Sequence, residues 1–189
     1  MSIPRSAEIV AHAERIFREI VLYSEAQGIT PRANNSCLYY ALAGRVAAEV
    51  VGRKTILQAG EAIWAYRPLE ETGDNAYGYP FDPRQALAYI RGDTVELPFH
   101  CWLLDVTDGE GRYGIIDLGI VHQPEKARSE GIPWPLDKSL PPLLARISEI
   151  PPGYTYRARE DMTRIGNILI TKLLKEYLAA GIFFKAGIK

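Results

Sequence analysis

Three side chains in this sequence have the types and the chain order that nucleophilic acyl chemistry requires: Cys37, His100 and Asp117. In such chemistry a thiolate attacks a carbonyl carbon. An imidazole takes the thiol proton and later returns it to the leaving group, and a carboxylate holds the imidazole in one tautomer. Cys37 follows Asn34, Asn35 and Ser36, all good helix N-caps, and precedes a run of small residues: Ala41, Ala43, Gly44, Ala47 and Ala48. The pattern predicts a cysteine at or just inside the start of a central, largely buried helix. Unpaired N–H groups and the positive end of the helix dipole favour a thiolate there. The same N–H groups, with Asn34, Asn35 and Ser36, are candidates to hold the oxyanion of a tetrahedral intermediate. The competing reading of Cys37 is a small buried hydrophobe.

His100 opens the first strand of the clearest hairpin, over 99–106 and 112–118, with Asp108-Gly109-Glu110-Gly111 as its turn. A turn centred near residues 109–110 places Thr107 opposite Arg112, Trp102 opposite Asp117, and His100 opposite Gly119. His100 and Asp117 are then diagonal neighbours on one face, and a slip of one residue would separate them. Asp105 is a competing orienter, but its parity points it away from His100. Trp102 shares the histidine's face, and is a candidate to wall the substrate site or to shield the His–Asp pair, with core packing as the competing reading. Cys101 should face the opposite way, into the core.

Other residues weigh less. Trp134, between two prolines, and the Tyr77-Gly78-Tyr79-Pro80 stretch are candidates to line a substrate groove, because long irregular loops often carry binding residues. His122 reads as a surface loop residue and His12 as part of the wet side of the first helix. Asp105, Asp108 and Glu110 miss the EF-hand spacing. Two cysteines and three scattered histidines give no zinc-type cluster, so no metal or organic cofactor is expected. Asn34-Asn35-Ser36 matches a glycosylation sequon, but helix capping explains it.

The elements that must position these residues follow from periodicity. Residues 6–26 and 36–51 read as helices, the first stopped at Gly28. Two short strands are expected around Ala59-Gly60-Glu61. A mostly irregular stretch over 68–98 contains a short helix near 84–91, entered through Asp82-Pro83. A second irregular stretch over 119–152 contains a short helix around 137–148. A strand near 154–157 and a final helix over 160–180 close the chain. The fold class is α+β, in a single domain of 189 residues. A charge of -1 gives no bulk attraction to nucleic acid or anionic membrane. No apolar run reaches the roughly 18 residues of a membrane span, and the N-terminus lacks a signal-peptide layout. A cytoplasmic protein is the expectation.

A cysteine at a helix start, a histidine on a strand and an aspartate on the next strand resemble the papain-like superfamily in its broad sense. The matching segments are Asn34-Asn35-Ser36-Cys37-Leu38-Tyr39-Tyr40-Ala41, His100-Cys101-Trp102-Leu103-Leu104-Asp105 and Ile115-Ile116-Asp117-Leu118-Gly119. The style is closest to transglutaminase-like proteins. The resemblance covers about residues 34–119. It implies a papain-like core, with a buried Cys-bearing helix on a mostly antiparallel sheet, and a Cys37–His100–Asp117 triad. It also implies a peptide, protein or small amide or acyl substrate, met either as a hydrolase or as an acyltransferase, transglutaminase or deamidase. A catalytically silent binding module is the third possibility. Gln27 lies ten residues before Cys37, and Leu38 follows it where papain-type sequences carry tryptophan.

Overall fold

A computed structural model describes residues 3–28, 36–65, 76–79 and 99–188, with Arg84, Ala88 and Arg91 between them. The expected capping residues Asn34 and Asn35 lie outside the described residues, as do most of the 68–98 segment and the side chains of Tyr77 and Tyr79. Arg84, Ala88 and Arg91 are helical, in line with the short helix expected there.

The fold is α+β. Helix α1 (Ser6–Ala26) leads to α2 (Ser36–Val50), which carries Cys37 at its second position. Strands β1 (Thr55–Ala65), β2 (Ala76–Tyr79), β3 (His100–Asp105), β4 (Gly114–Asp117), β5 (Leu143–Arg146) and β6 (Tyr154–Ala158) follow. Between β4 and β5 lie a 3₁₀ turn (Gly119–His122) and α3 (Gln123–Ser129). Helices α4 (Glu160–Ala179) and α5 (Ile182–Lys185) close the chain. The sheet order is β2-β1-β3-β4-β5, with β6 also paired to β1, and every pairing is antiparallel.

Both faces of the sheet are covered. One core joins α1, α2 and α4 to Leu57, Ala59, Cys101, Leu103 and Ile116. The other joins Ala62, Trp64, Ile120, Ala127, Trp134 and Leu140, with Tyr154 and Tyr156 against them. β1 serves both in turn. Leu57 and Ala59 are buried in the first half, Ala62 and Trp64 in the second, so the buried face switches at Gly60. That change of phase is why the sequence reads as two short strands, whereas the structure has one long strand. Gly60 also permits the switch of partners, since β3 ends and β6 begins there. A Cβ on Gly60 would stand 2.3 Å from the Arg157 carbonyl oxygen.

The small face of α2 performs as expected. Ala41, Ala43, Gly44, Ala47 and Ala48 are all buried. A Cβ on Gly44 would meet Leu118 at 3.1 Å and Leu103 at 3.2 Å, so helix and sheet are in close contact. The helix expected around 137–148 is replaced by β5 and a 3₁₀ turn (Ile147–Glu149). Pro141 and Pro142 cannot sit inside a helix, and Leu143–Arg146 instead pair with β4. The helix in this region is α3, with Pro124 in its first turn. Among the described residues no helix is long and apolar enough to cross a membrane.

Asp105 sits at the far end of β3 and is fully engaged. Its Oδ2 accepts from Arg53 Nη2 at 2.6 Å and Nε at 3.0 Å. Its Oδ1 accepts from the Thr107 hydroxyl at 2.7 Å and N–H at 3.0 Å. Asp105 therefore anchors the α2–β1 connection to the hairpin and does not orient His100. Asp105 is 1% exposed and Arg53 8%, so Asp105→Ala leaves a buried guanidinium without its main partner. It should destabilise the fold by about 3–5 kcal/mol in urea unfolding, while leaving the pH profile of Cys37 alkylation unchanged.

Candidate active site

The hairpin register is the one the turn chemistry predicts. Leu103 pairs with Ile116, Leu104 with Ile115 and Asp105 with Gly114, which puts Trp102 level with Asp117. His100 and Asp117 accordingly meet: His100 Nε2 donates to Asp117 Oδ2 at 2.9 Å, with both side chains fully buried. Two further donors hold the carboxylate. The Tyr156 hydroxyl donates to Oδ2 at 2.8 Å, and the Ile120 N–H donates to Oδ1 at 3.2 Å. Tyr156 in turn accepts from Trp64 Nε1 at 2.9 Å.

An aromatic box encloses the imidazole. Trp64 meets it edge to face, with ring centroids 4.9 Å apart, and Trp102 lies nearly parallel to it at 6.2 Å. Tyr156 closes the box against Trp102 at 5.2 Å. Trp102, itself buried, thus shields the His–Asp pair, one of the roles expected for it. Trp134 does not line a groove. It is 3% exposed in the second core, and its indole N–H donates to the Lys138 carbonyl. It packs there with Trp64, Ile120 and Leu140, with Ile132 against them.

Cys37 approaches from α2. With Nε2 committed to Asp117, Nδ1 is the ring nitrogen left for other chemistry. The thiol is coupled electrostatically to both His100 and Cys101. Its sulfur also lies 4.0 Å from the Phe99 carbonyl oxygen. Cys101 occupies the core face opposite His100, as strand alternation requires. Cys37 sits at the rim of the sheet, where the start of α2 abuts Gly119 just past the end of β4. Ser36, the described member of the expected oxyanion set, is buried at the first position of α2. The N–H groups of the first helical turn have no partners within α2.

These contacts set the protonation states. The Cys101 thiol, donating to the Cys37 sulfur, is the largest influence holding Cys37 well below the ordinary thiol range. Burial opposes it, and the His100 hydrogen bond and charge add to it. Burial works against a charged His100, but the Asp117 charge and hydrogen bond, together with Cys37, push it up to about 10. Cys101 moves well above the ordinary range, because Cys37 accepts its proton's hydrogen bond and because it is buried. These directions favour a thiolate–imidazolium pair beside a neutral Cys101.

Three positions were not singled out by sequence reasoning. Gly119 is one: a Cβ there would lie 3.1 Å from Cys37 Cα and 3.6 Å from His100 Cε1, so glycine lets the helix start abut the histidine. Tyr156 and Trp64 are the others. They come from distant strands, and only the β1–β6 pairing brings them to Asp117. His122 is half-buried rather than on the surface, and its Nε2 contacts the Tyr40 hydroxyl at 2.9 Å. His12 is exposed against Arg15. Among the described residues no cluster of three or more His, Cys, Asp or Glu side chains could hold a metal ion.

Neither a known protein family nor a curated protein matches the chain. A crystal structure described as a genomics target is similar at 17% identity with a TM-score of 0.48, covering 93% of this chain and 76% of that one.

Two substitutions test the site. Tyr156→Phe removes one donor from a buried carboxylate, at a cost of about 1–3 kcal/mol. It should also slow Cys37 alkylation at neutral pH, because Asp117 then holds the imidazole less firmly. Gly119→Ala forces α2 away from His100. It should shift the alkylation profile toward an ordinary thiol, as measured by iodoacetamide rates across pH.

Proposed function

We propose that this protein is a cysteine-dependent hydrolase of an amide, peptide or isopeptide bond. Its core is read as papain-like and closest in style to the transglutaminase-like branch. The observation that carries the reading is the buried His100–Asp117 hydrogen bond with the Cys37 turn of α2 set beside the imidazole, so close that a Cβ on Gly119 would lie 3.1 Å from Cys37 Cα and 3.6 Å from His100 Cε1.

The steps follow from the protonation states. The Cys37 thiolate attacks the carbonyl carbon, and the oxyanion that forms is received by N–H groups at the start of α2. The His100 imidazolium gives its proton to the leaving amine as the C–N bond breaks, leaving a thioester on Cys37 and a neutral imidazole. Water then attacks the thioester. His100 takes a proton from that water, and the acid leaves as the thiolate is restored. Asp117 holds Nε2–H throughout, so Nδ1 is the nitrogen that moves the proton. An amine in place of water makes the same intermediate serve acyl transfer, and glutamine side chains would make the enzyme a transglutaminase or deamidase. No cofactor enters these steps. The reading places the protein in the cytoplasm with a peptide, protein or small acyl substrate.

A second reading is favoured by burial. Cys37 is 2% exposed and His100 is fully enclosed, as suits a catalytically silent domain that keeps the pair for stability. Both readings give a depressed thiol pKa, but only the first gives an acyl-enzyme.

The test begins with small probes, as the burial requires. Iodoacetamide should label Cys37 at a rate that is already maximal at pH 7 and falls only well into the acid range. His100→Ala should restore the dependence of an ordinary thiol near ~8.5. A small activated ester should leave an acyl group on Cys37, visible by intact mass. Turnover of a small amide should fall above pH about 10, where the imidazolium that protonates the leaving amine is lost. An ordinary profile insensitive to His100 would sink the catalytic reading, and a depressed pKa without acylation would favour the silent domain.

A further inference from the structure

The 3₁₀ turn (Gly119–His122) begins two residues after Asp117, and its contacts reach beyond the carboxylate. Its Ile120 N–H serves Asp117 Oδ1, and the buried Gln123 side chain donates from Nε2 to the Gly119 carbonyl at 3.2 Å, which ties the turn to itself. The turn meets the start of α2 at two levels. At the first, a Cβ on Gly119 would lie 3.1 Å from Cys37 Cα. At the second, three residues on in both segments, His122 Nε2 lies 2.9 Å from the Tyr40 hydroxyl. Three residues make one turn of a 3₁₀ helix and nearly one turn of an α-helix. Gly119 and His122 therefore share one side of the turn, and Cys37 and Tyr40 share the facing side of α2.

The two contacts do different things. The Gly119 contact is steric and sets how near α2 can come. The Tyr40–His122 hydrogen bond is directed, and it sets where the helix stands along the turn. Phe17 of α1 holds the tyrosine in place for it: the Phe17 and Tyr40 rings stack with centroids 3.9 Å apart and planes 14° apart. The His122 ring lies 5.2 Å from the Tyr40 ring. Burial keeps His122 below the ordinary imidazole range against the pull of Glu125, and it pushes Tyr40 up to about 12. At neutral pH a neutral phenol therefore donates its proton's hydrogen bond to a neutral imidazole.

We propose that Tyr40 and His122 are positioning residues for the catalytic pair: their hydrogen bond ties the helix that carries Cys37 to the turn that holds Asp117, and so sets the thiol against His100. This deepens the proposed function and rests on its catalytic pair. The effect passes through α2 and the turn. Without the bond, the first turn of α2 is free to shift along Gly119, and the thiolate loses part of the compensation that His100 gives it.

The test is the pH midpoint of Cys37 alkylation by iodoacetamide in the full-length protein. The midpoint is read in place of the rate, since a loosened helix also admits the reagent more readily. Tyr40→Phe keeps the stacked ring and loses only the hydroxyl. It should raise the midpoint by about one pH unit toward an ordinary thiol, the tenfold change in thiolate that one lost hydrogen bond of positioning supports. His122→Ala should raise it as far, and the double variant no further, because both changes remove the same bond. His122→Gln, whose amide reaches nearly as far as Nε2, should recover part of the shift. Asp105→Ala, which weakens the fold at the far end of β3, should keep the wild-type midpoint. A Tyr40→Phe midpoint equal to the wild type, additive shifts in the double variant, or an equal shift in Asp105→Ala overturns the proposal and leaves the catalytic pair standing. A wild-type midpoint that is ordinary and insensitive to His100→Ala overturns both.

Discussion

The structure turns on one buried carboxylate. Asp117 ends an interior strand of the sheet and is fully buried, where an ionised group without partners would cost several kcal/mol. Each of its oxygens is met by a directed donor: Tyr156 and His100 on Oδ2, and the Ile120 amide on Oδ1. Those donors come from β6, β3 and the turn after β4. The site is therefore complete only when the hairpin register, the β1–β6 pairing and the Gly119 turn are all in place. Removing any of these elements strands a charge, which is a strong reason for the chain to hold one arrangement.

The second constraint is where the nucleophile can stand. His100 and Cys101 are consecutive on β3 and point to opposite faces, into different clusters of neighbours. A side chain resting on the middle of either face would reach one and miss the other. Cys37 is coupled electrostatically to both because α2 begins at the rim, where β3 starts and β4 has just ended. Glycine at 119 and small residues along α2 allow that close approach. The small-residue helix and the catalytic placement have the same cause: a wider helix face would lift Cys37 away from both partners.

Much of this arrangement was legible in local sequence. The Asp108–Gly111 turn fixes the hairpin register, and the register fixes the His100–Asp117 contact. The run of small residues after Ser36 marks the buried helix. The less legible features depend on contacts between segments far apart in the chain. β1 reads as two strands because its buried face changes at Gly60, a change that makes sense only with a core on each side of the sheet. Pro141 and Pro142 argue against a helix at 137–148, but the apolar residues after them suit a helix or a strand equally until β4 offers its edge. Trp134 reads as a loop residue because its partners, Trp64, Ile120 and Leu140, are spread along the sequence. Tyr156 carries no local sign of its bond to Asp117, for the same reason.

The electrostatics of the thiol follow from this placement. A thiolate at the end of a buried helix needs compensation, and His100 supplies one cation for two anions, Cys37 and Asp117. The balance must come from neutral donors, because no further cation touches either anion among the described contacts. Tyr156 and the Ile120 amide serve Asp117, while Cys101 serves Cys37.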